Sequence, residues 1–372
     1  MDGTARLAGI LDAAIANRWC SAAALQVGDA GREVLTLARG LTRTLPAPGV
    51  PVDADAIFDL ASVTKPIVTT ALAMVLASRG ALDLDAAAAT LVPQVDPRVR
   101  VLHLLGHVSG LPPHVKFFQR LRAGDLAGQT DARGALVHLA ASTALARPPA
   151  EAAVYSDLGY ITLGAALERA GGAPLEDLFA RLVAGPLGLS RARFVDLRAP
   201  AATRPAWDAP VVATEIEADE GLIEGVVHHE NCRAGGGVAG HAGLFAPVAD
   251  VGRFGQAMLT LLGGADVGGI RADVARRFFT TRLDATSTWR LGWDTPSEAP
   301  GVSHAGERWP RDGGFGHHGF TGTALWLDAT RGRWVALLTN RVHPSRHDER
   351  ALRIKDLRRA VMDAVVDLLG AG

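Results

Sequence analysis

A serine and a lysine three residues apart, Ser62 and Lys65, are the residues of this sequence whose chemistry is easiest to name. If a helix begins at Ser62, the two side chains lie on one face of it and beside each other. Pro66 suits the first turn of such a helix, where backbone N–H groups have no partner. A lysine desolvated by apolar neighbours can be neutral and accept the serine proton, which would make Ser62 a nucleophile. The alternative interpretation is that Ser62 only caps the helix.

The scarcity of lysine supports the catalytic interpretation. Of the 38 basic residues only three are lysines, Lys65, Lys116 and Lys355, so this chain uses arginine wherever a simple positive charge suffices. Lysine can lose its proton when it is desolvated, whereas arginine remains charged. We therefore expect Lys65 to occupy a position where that difference matters, and Lys116 to be a solvated surface residue.

Two later segments carry groups that such a nucleophile needs. Tyr155 and Asp157 lie together, and a phenol beside polar or cationic groups can relay a proton to a leaving group. Taken alone, Tyr155 would more simply be a core or loop residue. A glycine-rich segment, 314–322, contains His317 and His318 and precedes a predicted strand. Glycines allow close backbone approach there, and a free N–H at this edge can complete an oxyanion site.

The histidines also permit a metalloenzyme hypothesis. The candidate ligands are His228, His229, His241, His317 and His318. The sequence contains neither His-x-x-x-His nor His-Glu-x-x-His, the spacings that place two imidazoles on one metal. We therefore expect no bound metal and no cofactor.

The elements that must position these residues predict one antiparallel sheet built from both ends of the chain. The predicted helices are 4–17, 62–78 and 346–369, and the predicted strands are 22–27, 34–37, 56–60, 290–293, 323–327 and 334–339. Between the two ends the chain is rich in Ala and Leu with helical periodicity. We expect residues 1–80 and 286–372 to form an α/β sheet domain, and 81–285 to form an inserted, mainly helical region of the same catalytic unit.

Composition excludes several other classes of protein. Apolar residues make up 48% of the chain and its net charge is −1, which predicts a sizeable core and no nucleic-acid partner. The apolar stretches are interrupted by Thr, Ser or Arg, so we expect no membrane span. Cys20 and Cys232 are too far apart to indicate a zinc site or a disulfide framework. The N-terminus lacks the pattern of a signal peptide, which predicts a cytoplasmic protein.

Taken in order, these motifs resemble the serine β-lactamase and penicillin-binding-protein superfamily. Its signature is Ser-x-x-Lys, then Tyr-x-Asn or Ser-x-Asn, then Lys-Thr-Gly or His-x-Gly. The resemblance extends from about residue 20 to residue 365, and the segment 105–112 is similar to the "LLTHTSGLP" stretch of the class C-like branch. It implies a β-lactamase/transpeptidase-like α/β (α+β) fold and a serine hydrolase with an acyl-enzyme intermediate.

The resemblance also implies a role for each matching residue. Ser62 would be the acylated nucleophile and Lys65 its proton acceptor. Tyr155 would protonate the leaving group and then activate the deacylating water. The backbone N–H groups of Ser62 and Phe320 would form the oxyanion hole.

The substrate-binding positions depart from those of true β-lactamases. Asp157 stands where the second motif has Asn, and an ionised carboxylate cannot donate a hydrogen bond to a substrate carbonyl. His317 stands where β-lactamases have Lys, which removes a permanent positive charge. Asp157, His317, His318 and Gly319 would contact the substrate. Alternatively, Asp157 would contact the lysine. Both departures resemble the esterase, D-aminopeptidase and cell-wall-recycling amidase branches.

Two segments narrow the resemblance further. Residues 228–245 are similar to the "VHDENA…GGVAGHAGLFS" segment of cell-wall-associated members, and 339–344 to their "TNRVHP" ending. Some of those members are N-acetylmuramyl-L-alanine amidases. The substrate is therefore expected to be a small ester, an amide or a peptidoglycan-derived molecule. A penicillin-binding or sensor module that acylates without turnover is the alternative function.

Overall fold

The computed structural model of the chain describes residues 3–299 and 301–370. The α-helices in these two ranges are α1 Gly3–Ala16, α2 Ala71–Ser78, α3 Val101–Leu105, α4 Phe117–Arg122, α5 Ala132–Ala141, α6 Asp157–Gly171, α7 Leu175–Phe179, α8 Gly185–Leu187, α9 Glu230–Ala234, α10 Val248–Leu262, α11 Ala272–Thr280 and α12 Ile354–Leu369. The strands are β1 Ala22–Asp29, β2 Arg32–Gly40, β3 Phe58–Asp59, β4 Arg193–Phe194, β5 Ile216–Glu217, β6 Gly221–Leu222, β7 Leu244–Ala246, β8 Gly314–His318, β9 Ala324–Asp328 and β10 Arg333–Thr339.

The central sheet joins the two ends of the chain, as the sequence predicts. Its strand order is β2-β1-β10-β9-β8, and each neighbouring pair is antiparallel. The N-terminal strand β1 pairs with the C-terminal strand β10, with Leu25 opposite Leu337. The predicted mixed α/β class with an antiparallel sheet is therefore confirmed.

Helices cover both faces of this sheet, and the alternation of side chains along the strands divides the core into two. Leu25 and Leu337 point toward α1 and α12, where they pack with Leu11 and Val361. Their chain neighbours on the strands point to the other face, which α10 covers. Because side chains alternate with a period of two, a strand with apolar residues at every position must be buried on both faces.

The secondary structure differs from the prediction at three places. Residues 290–293 are not a strand, and only Asp294 bridges to Gly316. The strand at this edge of the sheet is instead β8, which lies in the glycine-rich segment 314–322 and was not among the predicted strands. Glycines do not favour a strand by themselves, so β8 is a strand because it pairs with β9. A Cβ on Gly316 would lie 2.3 Å from the Trp326 ring, so glycine is required by packing. The closing helix α12 begins at Ile354 rather than at residue 346.

The helical run Ala61–Ser78 passes through the middle of the protein. It begins with a 3₁₀ turn at Ala61–Val63, continues as a π-helical segment at Lys65–Thr70 and ends as α2. By length and composition alone this run could cross a membrane, but most of it is buried within the protein. Here it is the central core helix, and its first turns carry the residues of the site described next.

Candidate active site

Ser62 lies in a strained turn that joins a short strand to the central helix. It follows β3 and lies within the 3₁₀ turn Ala61–Val63. The preceding residue, Ala61, has φ of +46°, in the left-handed region that residues with a side chain rarely adopt. Lys65 is one turn further on, and its Nζ lies 3.2 Å from the Ser62 Oγ. The predicted side-by-side arrangement of serine and lysine is therefore present.

Lys65 is completely buried, and four oxygen atoms surround its amino group. Besides Ser62, its Nζ contacts the Tyr155 hydroxyl at 2.6 Å, the Asp157 Oδ1 at 2.8 Å and the backbone carbonyl of His241 at 3.1 Å. The Tyr155 hydroxyl in turn donates to the Ser62 Oγ at 2.8 Å. The first two motifs, which are 90 residues apart in sequence, thus meet in a closed triangle of serine, lysine and tyrosine.

The charge of Lys65 differs from the sequence-based expectation. Burial alone would lower its pKa, but the Asp157 carboxylate and Tyr155 outweigh burial and raise the pKa of Lys65 above its usual value. Burial would raise the pKa of Asp157, yet Lys65, His114 and His229 hold it well below its usual value. Burial also raises the pKa of Tyr155. The resting site is therefore an ammonium, a carboxylate and a phenol, and the expected neutral lysine is wrong because Asp157 is ionised beside it.

Two imidazoles that the motifs did not connect to the site approach Asp157 from the side opposite Lys65. The His229 Nε2 lies 3.2 Å and the His114 Nδ1 3.7 Å from Asp157 Oδ2. The other ring nitrogen of His229 lies 3.3 Å from the Nε2 of the buried His241. The sequence motifs do not include His114, although it lies only two residues after the segment 105–112. Asp157 is therefore held by the protein itself and does not point freely into the cavity.

His317 and His318 lie on opposite faces of β8, because neighbouring strand residues alternate. The His317 ring faces Tyr155 and Trp289, with centroid distances of 6.1 and 5.5 Å. Its Nδ1–H donates to the backbone carbonyl of His318 at 2.9 Å, which leaves the Nε2 as a bare acceptor. Burial and the Lys65 charge lower the pKa of His317 to about 3. His317 is therefore a neutral hydrogen-bond acceptor where β-lactamases carry a cation.

The turn after β8 is fastened to the chain just before Ser62. The Thr321 hydroxyl donates to the backbone carbonyl of Asp59, and the Thr323 hydroxyl to that of Leu60, each at 2.8 Å. Gly319 lies directly against this backbone, since a Cβ there would be 2.5 Å from the Leu60 carbonyl oxygen. Only a glycine allows this contact, which brings the third motif against the first.

Phe320 occupies the position predicted to complete the oxyanion hole. Its backbone N–H makes no hydrogen bond within residues 3–299 and 301–370, so it is free to donate to a substrate oxygen. Its ring is 46% exposed and lies under the Arg341 guanidinium, 4.4 Å from the ring centroid. The turn that carries Phe320 is thus held against the residues that precede Ser62, and the Phe320 side chain forms part of the cavity wall.

The predicted site residues other than the buried Lys65 line one large cavity. Its volume is about 1150 Å³. Around the reactive centre it is lined by Ser62, Tyr155, Asp157, His317, His318, Gly319 and Phe320. Its walls also include acidic groups such as Glu217 and basic groups such as Arg341. This volume exceeds the pockets of about 300–1000 Å³ that enclose drug-sized ligands.

Two clusters in the described ranges bring three metal-ligating groups within 4.8 Å of one another. They consist of His114, Asp157 and His229, and of Glu215, Glu217 and His228. In the first, the Lys65 ammonium already shares the carboxylate. In the second, Arg346 pairs with both carboxylates and Arg233 with one of them. Protein cations thus already balance the acidic groups of both clusters.

The comparisons with known proteins agree with this geometry. Residues 7–359 match a family model described as Beta-lactamase. A protein of Escherichia coli K12 that is provisionally named D-alanyl-D-alanine carboxypeptidase is 28% identical over 313 residues, covering 77% of this chain and 69% of that protein.

Solved structures resemble the whole chain. The octameric penicillin-binding protein homologue of Pyrococcus abyssi superposes with a TM-score of 0.72 at 19% identity, covering 100% of this chain and 78% of that one. EstCE1, a hydrolase with promiscuous acyltransferase activity, superposes with a TM-score of 0.71 at 23% identity, covering 97% and 98%. At these identities the likeness shows the fold alone.

Proposed function

Since the chain belongs to the beta-lactamase family, we propose that it is a serine hydrolase that forms an acyl-enzyme on Ser62 and hydrolyses an ester or an amide. The observation that carries the proposal is the triangle of Ser62, Lys65 and Tyr155, whose three sides measure 2.6 to 3.2 Å. A nucleophile, a group that takes its proton and a group that delivers a proton are together there.

Acylation uses the form of the site that has lost one proton from Lys65. The neutral amine takes the Ser62 proton while the serine oxygen bonds to the substrate carbonyl carbon. Charge develops on the carbonyl oxygen, which the N–H groups of Ser62 and Phe320 stabilise. The Tyr155 phenol gives its proton to the leaving group, and Lys65 replaces that proton along the 2.6 Å contact. The bond to the leaving group then breaks.

Deacylation repeats these steps with water as the nucleophile. Tyr155 and Lys65 take a proton from the water, whose oxygen bonds to the acyl carbon, and Ser62 recovers a proton as its bond to that carbon breaks. The acid product leaves, and the form of the site with a neutral Lys65 that began acylation is restored.

A peptidoglycan-derived peptide amide is the substrate class that we favour over a small ester. The cavity of about 1150 Å³ is larger than a simple ester requires, and its walls carry charges of both signs. The relative from Escherichia coli carries the name of a peptidase of D-alanyl-D-alanine. The resemblance of 228–245 to muramyl amidases supports the bond between muramic acid and L-alanine as the second candidate. The protein is incubated separately with a D-alanyl-D-alanine peptide, a muramyl-L-alanine peptide and a p-nitrophenyl ester. The masses of the products show which of the three bonds it hydrolyses.

The nucleophile is tested directly by intact-protein mass spectrometry with a fluorophosphonate probe, which phosphonylates an activated serine and releases fluoride. We expect one adduct on the wild-type protein and none on Ser62→Ala, because the probe reacts with the activated serine oxygen. The melting temperature should change little, since the hydroxyl contributes little packing. An adduct of equal size on Ser62→Ala would contradict the assignment of the nucleophile.

The lifetime of the adduct separates an enzyme from a sensor. With penicillin G, an adduct that clears within seconds indicates hydrolysis of that β-lactam, whereas an adduct that persists for hours with every substrate tested indicates a penicillin-binding module. We propose turnover, because Ser62, Lys65 and Tyr155 are all in contact. An adduct that persists for hours with penicillin G, the esters and the peptides alike would contradict hydrolysis.

His317→Lys is expected to accelerate acylation by penicillin G about tenfold. His317 is neutral and presents only an acceptor, so it cannot pair with the carboxylate of a β-lactam. A lysine would supply a charge-assisted hydrogen bond, and such bonds contribute about 1.5–3 kcal/mol. The second-order rate of adduct formation measures the effect. An uncharged ester of penicillin serves as the control substrate and should show no gain, and an equal gain for both would contradict this explanation.

A further inference from the structure

Asp59, three residues before the proposed nucleophile, is a buried carboxylate that lacks a cationic partner. Its side chain is 2% exposed, and no ion pair reaches it from the described parts of the chain. Burial raises the pKa of Asp59. A buried carboxylate without a counter-ion is costly unless hydrogen bonds satisfy its oxygens. The hydrogen bonds that Asp59 accepts must therefore offset the cost of burying it.

Each carboxylate oxygen of Asp59 accepts one backbone N–H from a different segment. The Oδ1 accepts from Ala61 at 2.8 Å, and the Oδ2 accepts from His228 at 2.7 Å. The first bond holds the residue with φ of +46° that directly precedes Ser62. The second bond anchors the segment whose next residue, His229, contacts Asp157.

The backbone of Asp59 holds a third segment. Its carbonyl oxygen accepts the Thr321 hydroxyl at 2.8 Å, one residue after the free N–H of Phe320. Asp59 thus connects the nucleophile turn, the oxyanion turn and the histidine segment. These segments are far apart in the sequence, so the relative positions of their reacting groups depend on contacts of this kind.

We infer that Asp59 is a positioning residue that aligns the Ser62 oxygen with the Phe320 N–H and the Lys65–Asp157 pair; this inference rests on the proposed function. Without the Oδ1 contact, the turn at Ala61 loses the bond that holds its left-handed conformation, and the Ser62 oxygen can rotate away from the carbonyl carbon. Displacements of about 1 Å in such sites can lower rates about a hundredfold.

Asp59→Asn tests this inference because it preserves size while replacing one acceptor oxygen by an NH₂ group. That group would face an N–H donor, so one of the two contacts must be lost. We expect the first-order rate constant for reaction of Ser62 with the fluorophosphonate probe, which forms an O–P bond and releases fluoride, to fall about a hundredfold. The rate constants are compared at a temperature at which melting curves show each protein fully folded, so that lost stability alone cannot produce the effect.

Asp250→Asn is the matched control. Asp250 is also a buried carboxylate, at 3% exposure, and it accepts the backbone N–H groups of Arg191 and Ala192, each at 2.8 Å. It lies in α10 and does not line the cavity. We expect it to lower the melting temperature as Asp59→Asn does, with a wild-type acylation rate constant. Equal rate constants in the two variants would overturn the inference.

A second pair of variants decides the question if Asp59→Asn does not fold. Thr321→Val removes the hydroxyl that binds the Asp59 carbonyl, and Thr321→Ser keeps it. We expect Thr321→Val to slow acylation roughly fivefold and Thr321→Ser to restore most of the rate. Equal rates in both would overturn the inference. If the wild-type protein forms no adduct on Ser62, the proposed function fails, and the positioning role fails with it. A normal wild-type adduct with fast acylation of Asp59→Asn overturns the positioning role alone.

Discussion

Lys65→Arg is expected to lower kcat/KM by about 10²–10⁴-fold, the usual contribution of a positioned general base. An arginine keeps the positive charge and can keep the ion pair with Asp157. It does not lose its proton at any pH at which the protein is folded, so it cannot accept the proton of Ser62. The acylation rate constant with the fluorophosphonate probe measures the loss, and circular dichroism verifies the fold.

The scarcity of lysine provides the control for this experiment. Lys116 is exposed on the cavity wall, and Lys116→Arg makes the same chemical change outside the triangle of Ser62, Lys65 and Tyr155. We expect that variant to react like the wild-type protein. If Lys65→Arg retained wild-type activity, the ammonium would serve only as a fixed charge, and Tyr155 would have to accept the serine proton.

Asp157→Asn is expected to move the acidic limb of the kcat/KM profile to lower pH by about 1–3 units, the usual effect of a nearby opposite charge. In the wild-type protein Asp157 raises the pKa of Lys65, so the reactive neutral amine forms only as the pH increases. Without the carboxylate, burial dominates and the pKa of Lys65 falls. A larger fraction of the variant is then reactive at low pH. A limb that stays in place or moves to higher pH would contradict this account.

Asp294→Asn is the necessary control for the pH profile. Asp294 lines the same cavity, and burial raises its pKa to about 6. It makes no ion pair with Lys65. We expect its replacement to leave the acidic limb where it is. If the limb disappears in Asp294→Asn instead, it reports the ionisation of Asp294 and not that of Lys65.

Asp157→Asn should also change how the free energy of unfolding depends on pH. In Asp157→Asn the folded-state pKa of Lys65 lies below its unfolded value, so the unfolded chain binds more protons between the two values. The stability of the variant therefore increases as the pH rises through that interval. In the wild-type protein the depressed pKa of Asp157 contributes stability that is present above its unfolded value and lost as the pH falls. Melting temperatures measured across pH distinguish the two patterns.

The features of this protein that depend on local spacing could be predicted from its sequence. Ser62 and Lys65 are neighbours because a helical turn brings residues three apart together. The alternating apolar segments at both ends predicted the antiparallel sheet, because side chains on a strand point to opposite faces. The order of the three motifs was sufficient for the family and the fold.

The charges of the site and the contacts between its segments arise from the folded structure and could not be predicted from local spacing. Lys65 is an ammonium because Asp157, 92 residues away, lies 2.8 Å from it, and spacing within a helix contains no information about that carboxylate. β8 is a strand because β9 pairs with it, although its own glycines favour a turn. Asp59 and His114 belong to none of the three motifs. Only folding places Asp59 beside the turn that carries the nucleophile and His114 beside Asp157. Electrostatic and packing energies sum over all groups that are close in space, so residues distant in the sequence determine them.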